Sequence, residues 1–156
     1  MKKGFIIAGV VLVLAFAGSL VFLTMSNKEY LNKNAKLSDI NYETDKLNIY
    51  VFFGSTCPHC EELLNYLDSI RKDFDDMVRI YGFEVWENEE NGQIMDKFLS
   101  KFGEETGSRS VPFFIIGEED FSGYSSSDGM EIRETITNQY ENLKNLDNYK
   151  SLLTSE

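Results

Sequence analysis

The chain has 156 residues, of which 42% are hydrophobic and 13% aromatic, so it can bury a real core. A formal net charge of −11 argues against a nucleic-acid partner, whose affinity rests on Lys and Arg neutralising phosphates. Its two Cys and one His stand together at Cys57, His59 and Cys60, which supplies at most three ligands and falls short of a four-ligand structural metal site.

Lys2 and Lys3 precede an uncharged run, Gly4 to Met25. As a helix its 22 residues would span about 33 Å, enough to cross a hydrocarbon core of roughly 30 Å. Ala15 to Gly18, AFAG, offers a small-x-small cleavage site. The apolar run continues past it through Leu20, Val21, Phe22 and Leu23, longer than a signal-peptide core. We therefore read residues 1–25 as an uncleaved signal anchor that meets the membrane through residues 4–25. A cleaved, secreted form is the alternative. With the Lys pair held on the cytoplasmic side, the rest of the chain lies outside, where disulfides persist. Beyond Met25 stand 13 basic and 26 acidic residues, a net of −13, which reads as a solvated surface. Residues 26–46 are polar and weakly periodic and read as a tether, with a short helix near its end; residues 47–156 suit one compact domain.

Leu47 to Phe53, LNIYVFF, is β-branched and aromatic without a breaker and predicts a buried strand. After Pro58, Leu63, Leu64, Leu67, Ile70 and Phe74 recur at helical spacing. Met77 to Trp86 predicts a second strand, with Gly82 as a candidate bulge. Ile94, Met95, Phe98, Leu99 and Phe102 mark a second helix, ended by Gly103 and Gly107. Val111 to Gly117 predicts a third strand, and the GEED turn leads into a short fourth in an antiparallel hairpin. Asp128 and Glu131 resemble a capping pair before a last helix marked by Ile132, Ile136, Tyr140 and Leu143. The order β-α-β-α-β-β-α calls for an α/β fold, with parallel pairing across the βα steps. The acidic runs Glu87 to Asn91 and Glu118 to Asp120 lack calcium-loop spacing and read as solvated turns.

The CPHC motif, Cys57 to Cys60, admits a redox pair, half a metal site or a structural staple. A staple closing so short a loop removes little chain entropy. Haem attachment needs a His after the second Cys, where Glu61 stands. A Cys-x-x-Cys just after the first strand, a Val-Pro opening the third, and the element order together resemble the thioredoxin superfamily. The Pro58-His59 dipeptide resembles the active site of DsbA-like disulfide-forming oxidases of bacterial envelopes. The resemblance covers roughly Leu47 to Asn145. Between the second strand and second helix there is no room for the inserted helical domain of larger members, so the chain resembles a minimal, membrane-anchored version.

This resemblance implies a thioredoxin-like fold, with a central mixed sheet of about four strands flanked by helices and one N-terminal transmembrane helix in front. It implies that Cys57 is the exposed nucleophile and Cys60 the buried resolving thiol. Pro58, His59, Val111 and Pro112 would modulate them, with a cis Val111–Pro112 bond against the Cys57 sulfur. Reducing thioredoxins bury an acid six residues before the first Cys; Val51 stands there, which tilts the expectation towards an oxidant. The expected activity is thiol–disulfide exchange on exported cysteine-containing proteins, with a membrane redox partner and no cofactor or metal. Two other readings stand beside it: a dedicated extracytoplasmic reductase, and a non-turnover thioredoxin-like module that binds an exported peptide.

Overall fold

The computed structural model describes residues 30–142 and 148–155. The apolar segment 4–25, read as a transmembrane anchor, lies outside the described residues, as does Leu143. Among the described residues no helix is long and apolar enough to cross a membrane.

The elements in chain order are β1 (Leu31–Asn32), β2 (Leu47–Phe53), α1 (Pro58–Ser69), α2 (Arg71–Phe74), β3 (Val78–Glu84), α3 (Glu89–Phe102), β4 (Phe113–Ile116), β5 (Glu119–Ser122), α4 (Gly129–Glu141) and α5 (Lys150–Thr154). They build one five-stranded sheet in the order β1-β3-β2-β4-β5. β3 runs parallel to both β1 and β2, while β4 runs antiparallel to β2 and to β5. This is the α/β, thioredoxin-like arrangement that the sequence resembles.

Central β2 has no polar face because it is covered on both sides. Ile49 and Val51 pack with Leu63, Leu64 and Leu67 of α1 and with Ile132 and Ile136 of α4. Tyr50 and Phe52 point the other way, onto Ile94, Met95, Phe98 and Leu99 of α3 and onto Tyr149 and Leu153. Each such buried side chain contributes roughly 1.5–3 kcal/mol. The alternation of β2 thus fixes which helix lies on which face, and α1, which carries the cysteines, belongs to the first.

The structure corrects several sequence expectations. The sheet has five strands rather than about four, because part of the segment read as a tether over 26–46 joins it. Tyr30, Ala35 and Ile40 are buried, and Leu31–Asn32 adds a strand to β3. Two residues are too few to show an alternating pattern. Gly82 is no bulge: it pairs regularly with Val51. A Cβ there would lie 3.2 Å from Lys33 Cα, so the glycine gives the N-terminal segment room to pass. Asp128 makes no side-chain cap on α4; its carboxylate turns back to the N–H of Ser125 at 2.7 Å, closing a 3-10 turn one step earlier. The first predicted helix breaks at Ile70, and Phe74 is delivered by the separate α2. α5 carries Leu153 into the core and was not foreseen. Gly103 does end α3, as expected, in the left-handed region at φ 78°.

Candidate active site

The site forms where β2 stops. Gly54 to Cys57 leave the sheet, and Pro58 opens α1 at the first helical position, where its missing N–H has no partner to lose. Cys57 is the N-cap. Its sulfur accepts the N–H of Cys60 at 3.2 Å, and its carbonyl accepts the N–H of Glu61 at 3.1 Å. The two cysteines are joined in a disulfide with Cα atoms 5.3 Å apart. Cys60, at 1% exposed, is the deeper of the two, and Cys57 keeps 9%. The order of exposure is the one expected, although Cys57 is far less open than a freely exposed nucleophile.

The second part of the site arrives by topology. Because β4 runs antiparallel to β2, with Phe113 opposite Phe52, the residues before β4 meet the residues after β2. Pro112 therefore stands beside the disulfide although it is distant in sequence. The Val111–Pro112 bond is cis, as the resemblance implies. The Val111 carbonyl oxygen lies 3.9 Å from the Cys57 sulfur. The Pro112 carbonyl is already taken, accepting the N–H of Gly123 at 2.8 Å.

His59 sits differently from Pro112. Its imidazole is 69% exposed, and its Nδ1 lies 3.6 Å from the carboxylate of Glu62. Its partner is thus a neighbour on the outer face of α1.

Sequence reasoning missed the surroundings. The Trp86 indole lies flat over Gly54, where a Cβ would come within 2.2 Å of the ring. Its Nε1 donates to the Arg109 carbonyl at 3.3 Å, so the ring bridges the loop after β2 and the loop before Pro112. It remains 48% exposed, a large aromatic surface over the start of the loop that leads to Cys57. Glu84 at the end of β3 gathers the loop: its carboxylate accepts the N–H groups of Ser55 at 3.3 Å, Trp86 at 2.9 Å and Glu87 at 3.0 Å. Arg109, at φ 48°, pairs with Asp96 at 2.8 Å and Glu89 at 3.4 Å on α3. Burial pulls the Asp96 carboxyl up, but Arg109 and the N–H of Gly107 outweigh it and hold it below the ordinary carboxylate range. A sole Trp placed directly after a strand is the one sequence signal that could have marked this surface.

On the other flank, a cavity of about 350 Å³ opens beside the disulfide, lined by Lys33, Phe53, Cys57, Cys60, Glu61 and Leu64 among others. Lys33 belongs to the segment read as a tether. Among the described residues no group of three His, Cys, Asp or Glu is placed to hold a metal ion. The chemistry available is that of a dithiol–disulfide pair at a helix N-terminus.

No protein-family model matches the chain, and no curated protein does. Among solved structures, a glutaredoxin from Archaeoglobus fulgidus is similar at 23% identity and TM-score 0.43, over 67% of this chain and 98% of that one. Fasciola hepatica thioredoxin is similar at 22% identity and TM-score 0.39, over 61% and 82%. Thioredoxin O2 from Arabidopsis thaliana in its oxidised state is similar at 14% identity and TM-score 0.40, over 78% and 88%. The sheet order, the strand directions and the meeting of Cys57 and Pro112 where β2 and β4 adjoin make this a thioredoxin-like fold bearing a Cys-x-x-Cys disulfide.

Proposed function

We propose that this protein is a membrane-anchored, extracytoplasmic thiol–disulfide oxidoreductase of the DsbA-like kind, acting as an oxidant of exported cysteine-containing proteins. The observation that carries this reading is the Cys57 sulfur in the N-cap position of α1, accepting the Cys60 N–H and facing the Val111 carbonyl. A substrate thiolate attacks the Cys57 sulfur, and the Cys57–Cys60 bond breaks with its electron pair left on Cys60, which takes up a proton. A second substrate thiolate then attacks the substrate sulfur of the mixed disulfide and releases Cys57 as a thiolate. The substrate dithiol loses two electrons and the cysteine pair gains them. A membrane redox partner must remove them again.

The direction follows from what stabilises the reduced pair. Unpaired N–H groups and the positive end of the α1 dipole favour a thiolate on Cys57. A stabilised thiolate makes the reduced pair the more favourable state, which moves the couple towards oxidant. Val51, buried where a reductant would keep an acid, agrees with this direction. Cis-Pro112 and the Val111 backbone would receive an extended substrate strand, and Trp86 offers it an apolar surface.

Equilibration of the full-length protein in glutathione buffers tests the reading. The expected reduction potential lies clearly above the roughly −270 mV typical of thioredoxin. A value at or below that moves the assignment to the reductase. Retention of biological function in a Cys57→Ser, Cys60→Ser variant would instead favour the binding module.

A further inference from the structure

We propose that Lys33, carried by the segment in front of the catalytic domain, is a positioning residue that acidifies Cys60 across the cavity and so speeds closure of the active-site disulfide. This rests on the redox reading above and adds a residue to it.

Lys33 and Glu61 are the charged residues lining the cavity that Cys57 and Cys60 also line. The backbone at Lys33 is pinned on both sides. Asn32 pairs with Tyr81 of β3, and the Ala35 N–H donates to the Gly82 carbonyl at 2.9 Å. The Asn32 side chain holds the turn between them, its Oδ1 accepting the Asn34 N–H at 3.2 Å and its Nδ2 donating to Asp39 at 3.1 Å. Gly82 lets this happen, since a Cβ there would press on Lys33 Cα at 3.2 Å and the Asn32 carbonyl oxygen at 3.4 Å. The partner of Gly82 across the sheet is Val51, so β2 delivers no charge to this place and the crossing segment delivers one.

The charge matters in one particular state. While Cys57 is held in a mixed disulfide, Cys60 is the only thiol in the protein. To attack, it must lose a proton, and burial to 1% exposure opposes that. A cation across the cavity offsets the burial, and the Glu61 carboxylate acts in the opposite sense. The other charges nearby are engaged elsewhere. Glu84 holds the N–H groups of Ser55, Trp86 and Glu87; His59 faces Glu62; Arg109, on the cis-proline flank, pairs with Asp96 and Glu89. In the step itself, Cys60 gives its proton to water in the cavity. The thiolate then forms the bond to Cys57, and the electron pair of the broken mixed disulfide leaves on the departing thiolate.

The reduced full-length protein in detergent, mixed with 5,5′-dithiobis(2-nitrobenzoate), separates the steps. One thionitrobenzoate leaves as Cys57 attacks, and a second leaves as Cys60 displaces the first adduct. The quantity to read is the pH profile of the second phase. Lys33→Ala should move that profile to higher pH and slow the phase about fivefold near pH 6, the scale of one partly screened charge. Lys33→Arg should restore it, Lys33→Glu should exceed the alanine effect, and Glu61→Gln should shift the profile the other way. A purely structural role for Lys33 predicts none of these signs. Superimposed second-phase profiles for wild type, Lys33→Ala and Lys33→Glu would overturn the proposal. A protein that releases no thionitrobenzoate at all would overturn the redox reading itself.

Discussion

At the scale of single residues, the two sulfurs differ in what surrounds them, and the roles proposed for them rest on that difference. Both line the cavity, but Cys57 has a helix N–H at 3.2 Å and keeps some exposure, while Cys60 is set into the core. Removing the deeper thiol should therefore leave the attacking one without a way to be released. We expect Cys60→Ser to accumulate long-lived mixed disulfides through Cys57, visible as reductant-sensitive adducts on non-reducing gels. Cys57→Ser should accumulate none, and adducts on that variant instead would exchange the two roles. Cys57, Pro58, Cys60 and Pro112 were legible in the sequence because local rules mark them: a short motif, a helix-opening proline, a proline opening a strand. His59 was legible as a member of the motif, but its orientation towards Glu62 was not, because rotation about α1 is settled by what α1 buries. Trp86 and Lys33 reach the site only through the register of β3 with its neighbours, which no window of sequence contains.

At the scale of elements, the least conspicuous strand reaches well beyond its own length. β1 has two residues, yet it closes the sheet edge, buries Tyr30 and places Lys33. Tyr30 in turn donates its hydroxyl to the Leu67 carbonyl of α1 at 2.7 Å, and burial, its largest cause, pushes the phenol pKa well above its ordinary value. Gly82→Val tests this attachment directly. Its methyl groups would meet the Lys33 and Asn32 backbone, which cannot rotate away as a side chain can. A loss of about 1–3 kcal/mol in denaturant stability is expected, with faster hydrogen exchange at the Ala35 N–H. A variant with wild-type stability and exchange would mean that β1 contributes little. β2 to β5 were readable in the sequence, since uninterrupted β-branched and aromatic runs and the GEED turn act locally. β1 was not, because a polar segment with sparse apolar residues looks like a tether until Tyr30, Ala35 and Ile40 find their places in the core. The cap of α4 was misread for a related reason: Ser125 competes for Asp128 and closes its own turn first.

At the scale of the whole molecule, the orientation in the proposed function is open to a direct check. In intact cells expressing the protein, a membrane-impermeant thiol reagent should label reduced Cys57 in the Cys60→Ser background. Labelling that appears only after lysis would reverse the topology and remove the oxidising role. The alternation of elements made the α/β class legible, but not the place of the N-terminal segment in the sheet, because pairing with β3 sets it. β1 runs parallel to β2, and Leu31 stands level with Ile49 through Ile80, roughly 13 Å along the strand before Phe53. The segment from Tyr30 thus enters the sheet heading towards the end that carries the disulfide. A substrate approaching that end would meet Lys33 on one flank of the sulfurs and the Trp86 ring on the other.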